Sequence, residues 1–163
     1  MAIPRILRSV AALAATAAVL SAQCQFTSVS LQNYGSGCSE VFGFYPTLRF
    51  ELDQTNCTLA VTVDADSGCC NTFLQATAIV LSVRQAGVPL PLADPLCTLL
   101  VQPDTILIQS GPVATPFVLP LPPTMPPASF LAQGVAGYYT TVTFPRPFAL
   151  QFALTAGYVA SLR

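Results

Sequence analysis

The chain contains no histidine, no lysine and no tryptophan, and only 8% of its 163 residues are charged. Each absence removes a kind of chemistry. Without histidine there is no Ser-His-Asp or Cys-His nucleophile arrangement and no histidine-ligated metallohydrolase. Without lysine there is no Schiff base and no phosphate-loop lysine, and no glycine-rich nucleotide motif stands in for it. Without tryptophan the usual stacking platform of a sugar-processing cleft is missing. The six basic residues are all arginines, set against seven acids. They form no cationic cluster of the kind that displaces counterions from nucleic acid or is drawn to anionic lipid.

What is present is apolar: 53% of the residues, a composition opposite to that of disordered chains. The N-terminus places Arg5 and Arg8 before an unbroken aliphatic run from Val10 to Leu20, followed by the small residues Ser21 and Ala22. That order of basic, apolar and small regions is the layout of a secretory signal peptide. The run is about eleven residues, whereas a span of the hydrocarbon core needs roughly 20. The expectation is therefore a signal peptide over 1–22 and one exported domain over 23–163, secreted or held at the cell surface or in the periplasm, with no transmembrane anchor. Losing Arg5 and Arg8 leaves four arginines against seven acids, a net charge of about −3. Acylation at Cys24 is the weaker alternative, because Gln23 precedes it where a small residue is normal.

All six cysteines (Cys24, Cys38, Cys57, Cys69, Cys70 and Cys97) follow the expected cleavage point. An even count in an exported chain reads as disulfides. Six cysteines allow fifteen pairings, of which those joining Cys69 to Cys70 need a strained ring; spacing does not choose among the rest. Zinc ligation asks for paired Cys-x2–4-Cys or Cys/His spacing, which the chain lacks.

Residues 25–37 are polar and read as a loop. Residues 47–53 alternate, with Leu48, Phe50 and Leu52 on one face and Arg49, Glu51 and Asp53 on the other, which marks a half-buried strand. Residues 58–64 repeat the pattern with Leu59, Val61 and Val63. Residues 73–83 form a longer strand, expected to pair with 58–64 as a hairpin across Asp66-Ser-Gly-Cys-Cys-Asn71. The stretch Ala86-Gly-Val-Pro-Leu-Pro91 breaks the pattern, and short strands follow at 97–102 and 105–109, split by Pro103-Asp104. Residues 112–127 hold seven prolines and read as an edge strand passing into an extended connection. No basic residue accompanies them, as one would in a proline-rich ligand. A strand spans 129–139. From Phe148 to Leu162 every second residue is apolar, which fits one strand or a bulged pair, with Gly157 marking the bulge. Seven or eight short strands with turn residues between them predict an all-β sandwich.

Paired carboxylates are the catalytic chemistry left open. The acids are Glu40, Glu51, Asp53, Asp64, Asp66, Asp94 and Asp104. A glycosidase needs two that face one another, one with a raised pKa, whereas Glu51 and Asp53 sit side by side on an outward face. Asp64-Ala-Asp-Ser-Gly68 resembles the start of a calcium loop, yet its glycine falls fifth and Gln75 stands where a bidentate Glu belongs. Leu121-Pro-Pro-Thr-Met125 departs from a sortase signal at methionine, and Asn56-Cys57-Thr58 is a formal glycosylation sequon.

Tyr34-Gly-Ser-Gly-Cys38 followed by Pro46-Thr-Leu48, then Pro89-Leu-Pro91 ahead of Cys97-Thr-Leu-Leu-Val-Gln-Pro-Asp104, form an ordered set of motifs. It continues with Leu119-Pro-Leu-Pro122, Phe130-Leu-Ala-Gln133 and Leu154-Thr-Ala-Gly-Tyr158. Their order resembles that in a set of small exported proteins of planctomycete-type bacteria, over the chain from Tyr34 onward. The resemblance implies an all-β exported domain and a Cys38–Cys97 bridge. It supplies no catalytic residue, and Cys57, Cys69 and Cys70 stand outside it, so their partners and that of Cys24 stay open.

The function expected is a non-enzymatic structural or adhesive module without metal or cofactor, engaging a protein or cell-surface partner. The alternative is a carbohydrate-binding domain or carboxylate-dependent glycoside hydrolase using the acids with Tyr138 and Tyr139. A third reading, a subunit of a surface assembly, predicts an unpaired apolar edge strand.

Overall fold

The computed structural model describes residues 24–41, 44–66, 71–92, 97–141 and 149–163. The expected signal segment, Cys69, Cys70, Asp94 and Phe148 lie outside them. The described residues are all β: β1 (Val29–Tyr34), β2 (Cys38–Ser39), β3 (Thr47–Asp53), β4 (Thr58–Asp64), β5 (Thr72–Ser82), β6 (Gln85–Pro89), β7 (Thr98–Val101), β8 (Thr105–Ser110), β9 (Phe117–Pro120), β10 (Ala128–Thr140) and β11 (Ala149–Leu162). One sheet runs β1-β11-β10-β5-β8, with β2 also paired to β11. A second runs β3-β4-β9, and β6 pairs with β7 as a separate ribbon. All pairings are antiparallel.

The two larger sheets form the sandwich. The alternation in β3 and β4 sends Leu48, Phe50, Leu59, Val61 and Val63 inward against Leu74, Ile79, Ala132, Ala136 and Tyr138 of the large sheet. Leu59, Val61 and Val63 are wholly removed from solvent, and each contributes roughly 1.5–3 kcal/mol by burial. Phe44 meets Tyr138 edge-on at 5.2 Å, and Phe50 packs on Phe130 and Tyr158.

The expected hairpin of 58–64 with 73–83 is incorrect. β4 pairs with β3 and β9, and β5 pairs with β10 and β8, so the two strands face each other from opposite sheets. The hairpin is β3–β4, closed by Asp53: its Oδ1 accepts from Thr55 N at 2.9 Å and Asn56 N at 3.1 Å, and Cys57 completes the turn at φ 50°. Residues 25–37 are not all loop, since β1 pairs with β11 throughout its length. β1 is a sheet edge whose four central side chains are exposed, so its polar sequence conceals it. The segment 86–91 likewise contains most of β6, which pairs only with β7. The proline-rich stretch does supply an edge strand, β9.

Two bulges redirect side chains. In β10–β11 the register passes from Gln133↔Gly157 to Val135↔Leu154, so Gly134 faces both Thr155 and Ala156. Tyr158, Ala160 and Leu162 therefore point into the sandwich together with Ala153, while Leu154 points to the opposite face. The period-two stripe of β11 is thus divided between two faces rather than lying on one. A β-carbon on Gly134 would stand 2.8 Å from the Leu48 side chain and 2.9 Å from that of Thr155, so a larger residue would force both to shift. In β5 the extra residue is Gln75, which allows both Leu74 and Ile79 to face the core.

The outer face of the large sheet is covered in part by the β6–β7 ribbon. Val101 and Leu99 of β7 pack on Val80, Leu131 and Val135. A disulfide joins Cys38 of β2 to Cys97 at the start of the ribbon's second strand, with S–S 2.04 Å. A second joins Cys24 to Cys57, linking the described N-terminal residues to the β3–β4 turn.

Candidate functional site

The described acids fall at several places in the fold. Glu51 and Asp53 lie on the exposed face of β3, and Glu51 meets Arg49 at 3.4 Å. Asp53 belongs to the hairpin turn: the Asn56 side chain donates to its Oδ2 at 2.7 Å, and this bond with the backbone bonds lowers its pKa. A general acid needs the opposite shift. Glu40 accepts the Phe152 amide at 2.9 Å. Asp104 accepts from the Ser82 hydroxyl and, at 2.7 Å, from Arg84 Nη2; the Ser82 bond is the main cause of its lowered pKa, with Arg84 adding to it. Asp64 ends β4, and Asp66 lies just beyond. Among the described residues no three His, Cys, Asp or Glu side chains come together as a metal site. Asp94 lies outside the described residues, as does most of the Asp64–Gly68 loop beyond Asp66.

The two tyrosines also part company. Tyr138 is completely buried against Phe44, so it offers no ring to a sugar. Among the described residues its hydroxyl has no hydrogen-bond partner, and burial, with the nearby charge of Asp66, pushes its pKa up to about 12. Tyr139 is half-exposed on the other side of β10. The sequon residue Asn56 is exposed in the β3–β4 turn, beside the bridged Cys57.

Apolar side chains, by contrast, converge on the outer face of the large sheet. A groove of about 310 Å³ runs between that face and the ribbon, and every residue lining it is apolar. Val80 of β5, Val135 of β10 and Phe152 of β11 form its floor, Leu90 and Leu99 its ribbon wall, and Ile106 of β8 its open margin. The ribbon stands where it does because Gln133, fully buried, reaches from β10 to β7. Its Oε1 accepts the Leu100 amide at 2.8 Å, and its Nε2 donates to Thr98 O at 3.2 Å and Thr155 O at 3.0 Å. Tyr34 donates its hydroxyl to Leu100 O at 3.1 Å from the other side. These two side chains satisfy the β7 backbone groups that β6 leaves unpaired.

Beyond the groove the apolar surface continues. Ile106, at the groove's margin, is 50% exposed and Ile108, two residues on in β8, is 70% exposed. A second apolar opening, about 360 Å³, lies at one end of the sandwich between Leu81, Leu119, Leu121, Met125 and Phe130, with Ser82 and Asp104 at its rim. Its carboxylate is already held by Ser82 and Arg84.

Sequence reasoning singled out neither Ile106, Ile108 nor Gln133. The available signal was negative: Thr105–Ser110 is a strand without a charge or a proline, unlike 47–53 or 112–127. Among the described residues no helix is long and apolar enough to cross a membrane. Comparison with protein-family models, curated proteins and solved structures finds no match.

Proposed function

We propose that the protein is an exported, non-enzymatic structural or adhesive module that engages its partner through the apolar outer face of its large sheet. The observation that carries this reading is the groove beneath the β6–β7 ribbon, lined only by apolar residues and continuous with exposed Ile106. Extended exposed apolar surface on a folded protein marks an interaction site. Asp53 and Asp104 carry lowered rather than raised pKa values, the wrong direction for a general acid. Two disulfides fit an oxidising destination, as does the export layout of the first 22 residues.

The edge strand β8 favours a more specific version, in which the module is a subunit of a surface assembly. Its exposed isoleucines and lack of charge make it the kind of edge that pairs.

Intact mass of the protein recovered from the producing cells, before and after reduction, tests the export reading. The expected result is a chain lacking its first 22 residues, found outside the cytoplasm, whose mass rises on reduction. A mature chain that still begins at Met1 and stays inside the cell overturns it.

A further inference from the structure

We propose that β8 pairs with β8 of a second copy of this chain, antiparallel, across a two-fold axis at Leu107. The inference rests on the reading of the outer face as an interaction surface and names its partner.

β8 ends the large sheet, with β5 on one side and no strand on the other among the described residues. Gly111 N donates to Gln75 O at 2.7 Å, which continues the ladder toward β5. By the period of two, Gln109 and Leu107 also turn their backbone groups to β5, while Ile106, Ile108 and Ser110 turn theirs to the free side. Three N–H and three C=O groups therefore form a ready template.

The edges of the small sheet carry protection that β8 lacks, and β1 differs from β8 in being mainly polar. β3 presents Arg49, Glu51 and Asp53, β9 follows Pro116 and ends at Pro120, and β1 exposes Ser30, Gln32 and Asn33 with a single apolar residue, Leu31. Charge and proline are how proteins blunt such edges. Thr105–Ser110 has neither.

The sequence of β8 is complementary to itself in one register. Hydrogen bonding requires the outward residues of one strand to face the outward residues of the other. With Leu107 opposite its own copy, Ile106 faces Ile108, Thr105 faces Gln109, and Asp104 faces Ser110. Apolar meets apolar, polar meets polar, and no charge meets a charge. Shifting by two residues one way sets Ile106 against Ser110, and the other way sets Ile108 against Asp104, so both neighbouring registers are worse. The symmetric pairing is isologous and closes at two copies. Because Ile106 borders the groove, it also joins the two grooves into one apolar strip and covers Ile108, the more exposed of the two isoleucines. The connection after β8 does not obstruct it: Thr115 and Pro116 hold the Gln109 side chain, which shares the face of Leu107 packed on the core.

The test is sedimentation equilibrium of the full secreted protein over a wide concentration range, with backbone amide exchange measured alongside. The expected result is a monomer–dimer equilibrium, with exchange at Ile106 and Ile108 slowing as concentration rises. Ile108→Lys places a charge opposite Ile106 of the second copy and should weaken association about a hundredfold or more. Ile108→Pro keeps an apolar residue and removes only an outward N–H, so it too should dissociate the dimer if backbone pairing holds it. A wild type that stays monomeric overturns the proposal. So does a dimer that survives Ile108→Pro while Ile108→Lys breaks it, because that pattern means face stacking. Amide exchange in the wild type decides the matter even if a variant folds poorly. The export reading fails by mass and location instead, so the two fail separately.

Discussion

The ring of Tyr34 occupies the space that a β-carbon on Gly157 would need. The two residues are register partners in β1–β11, and a β-carbon built on Gly157 falls 2.6 Å from Tyr34 Cζ. The ring covers the bare backbone, and its hydroxyl goes on to Leu100 of the ribbon. Gly157→Ala should destabilise the protein by about 1–3 kcal/mol, the usual range for overpacking. The cost should largely vanish in a Tyr34→Ala background, because the clash is with that ring. Denaturant melts of the two single variants and the double variant read the coupling.

Tyr138→Phe should be stabilising. The Tyr138 hydroxyl is buried without a partner among the described residues, and such a group costs about 1–3 kcal/mol. Removing it leaves the edge-on contact with Phe44 in place. A gain of about 1 kcal/mol in chemical denaturation is expected, and a loss would mean that the hydroxyl makes a hydrogen bond.

Gln133→Leu should cost about 2–4 kcal/mol, because it strands the Leu100 amide and the carbonyls of Thr98 and Thr155. The damage should concentrate on the ribbon. Amide exchange at Leu100 should rise more than exchange at the buried β3–β4 hairpin.

Acid should weaken the Ser82–Asp104–Arg84 cluster. The folded pKa of Asp104 is lowered from 3.8, by the Ser82 hydroxyl first and Arg84 second. The unfolded chain therefore takes up the proton first. Stability from this group is complete above 3.8 and is lost as pH falls through the lower folded value. Thermal melts from neutral pH downward should show this loss, and Asp104→Asn should reduce the slope below pH 3.8.

The sandwich was legible where one face is wet and the other dry, as in Leu48-Arg49-Phe50-Glu51-Leu52. It was least legible in β11. There apolar residues are buried on both faces, under the small sheet on one side and, at Leu154, against Cys38, Cys97, Leu90 and Leu92 on the other, so a bulge at Thr155 and Ala156 leaves no break in the apolar pattern. The strand β6 was hidden by Gly87 and Pro89, which a two-stranded ribbon tolerates and a central strand does not. Pairing β4 with β5 followed from chain adjacency, and sequence holds no record of which sheet a strand joins. The Cys38–Cys97 link came from a resemblance, whereas Cys24–Cys57 had no such pointer. The apolar groove had no counterpart among the residue types that sequence reading weighs for function. Asp53 is held in a turn, Asp104 in an ion pair and Tyr138 in the core, whereas the groove on the outer face is lined by aliphatic side chains, proline and Phe152.

The Cys38–Cys97 disulfide also sets how the module bears tension. Between residues 24 and 163 the shortest covalent path runs through Cys38, across the bond to Cys97, and onward, bypassing the chain between them. Those two cysteines are 59 residues apart in sequence, so the bond withdraws roughly 200 Å of extensible contour. A pull on the ends cannot pay out β3, β4, β5 or β6 while the sulfurs stay joined. Oxidised, the module is a short tether; reduced, the same chain becomes a long and compliant one.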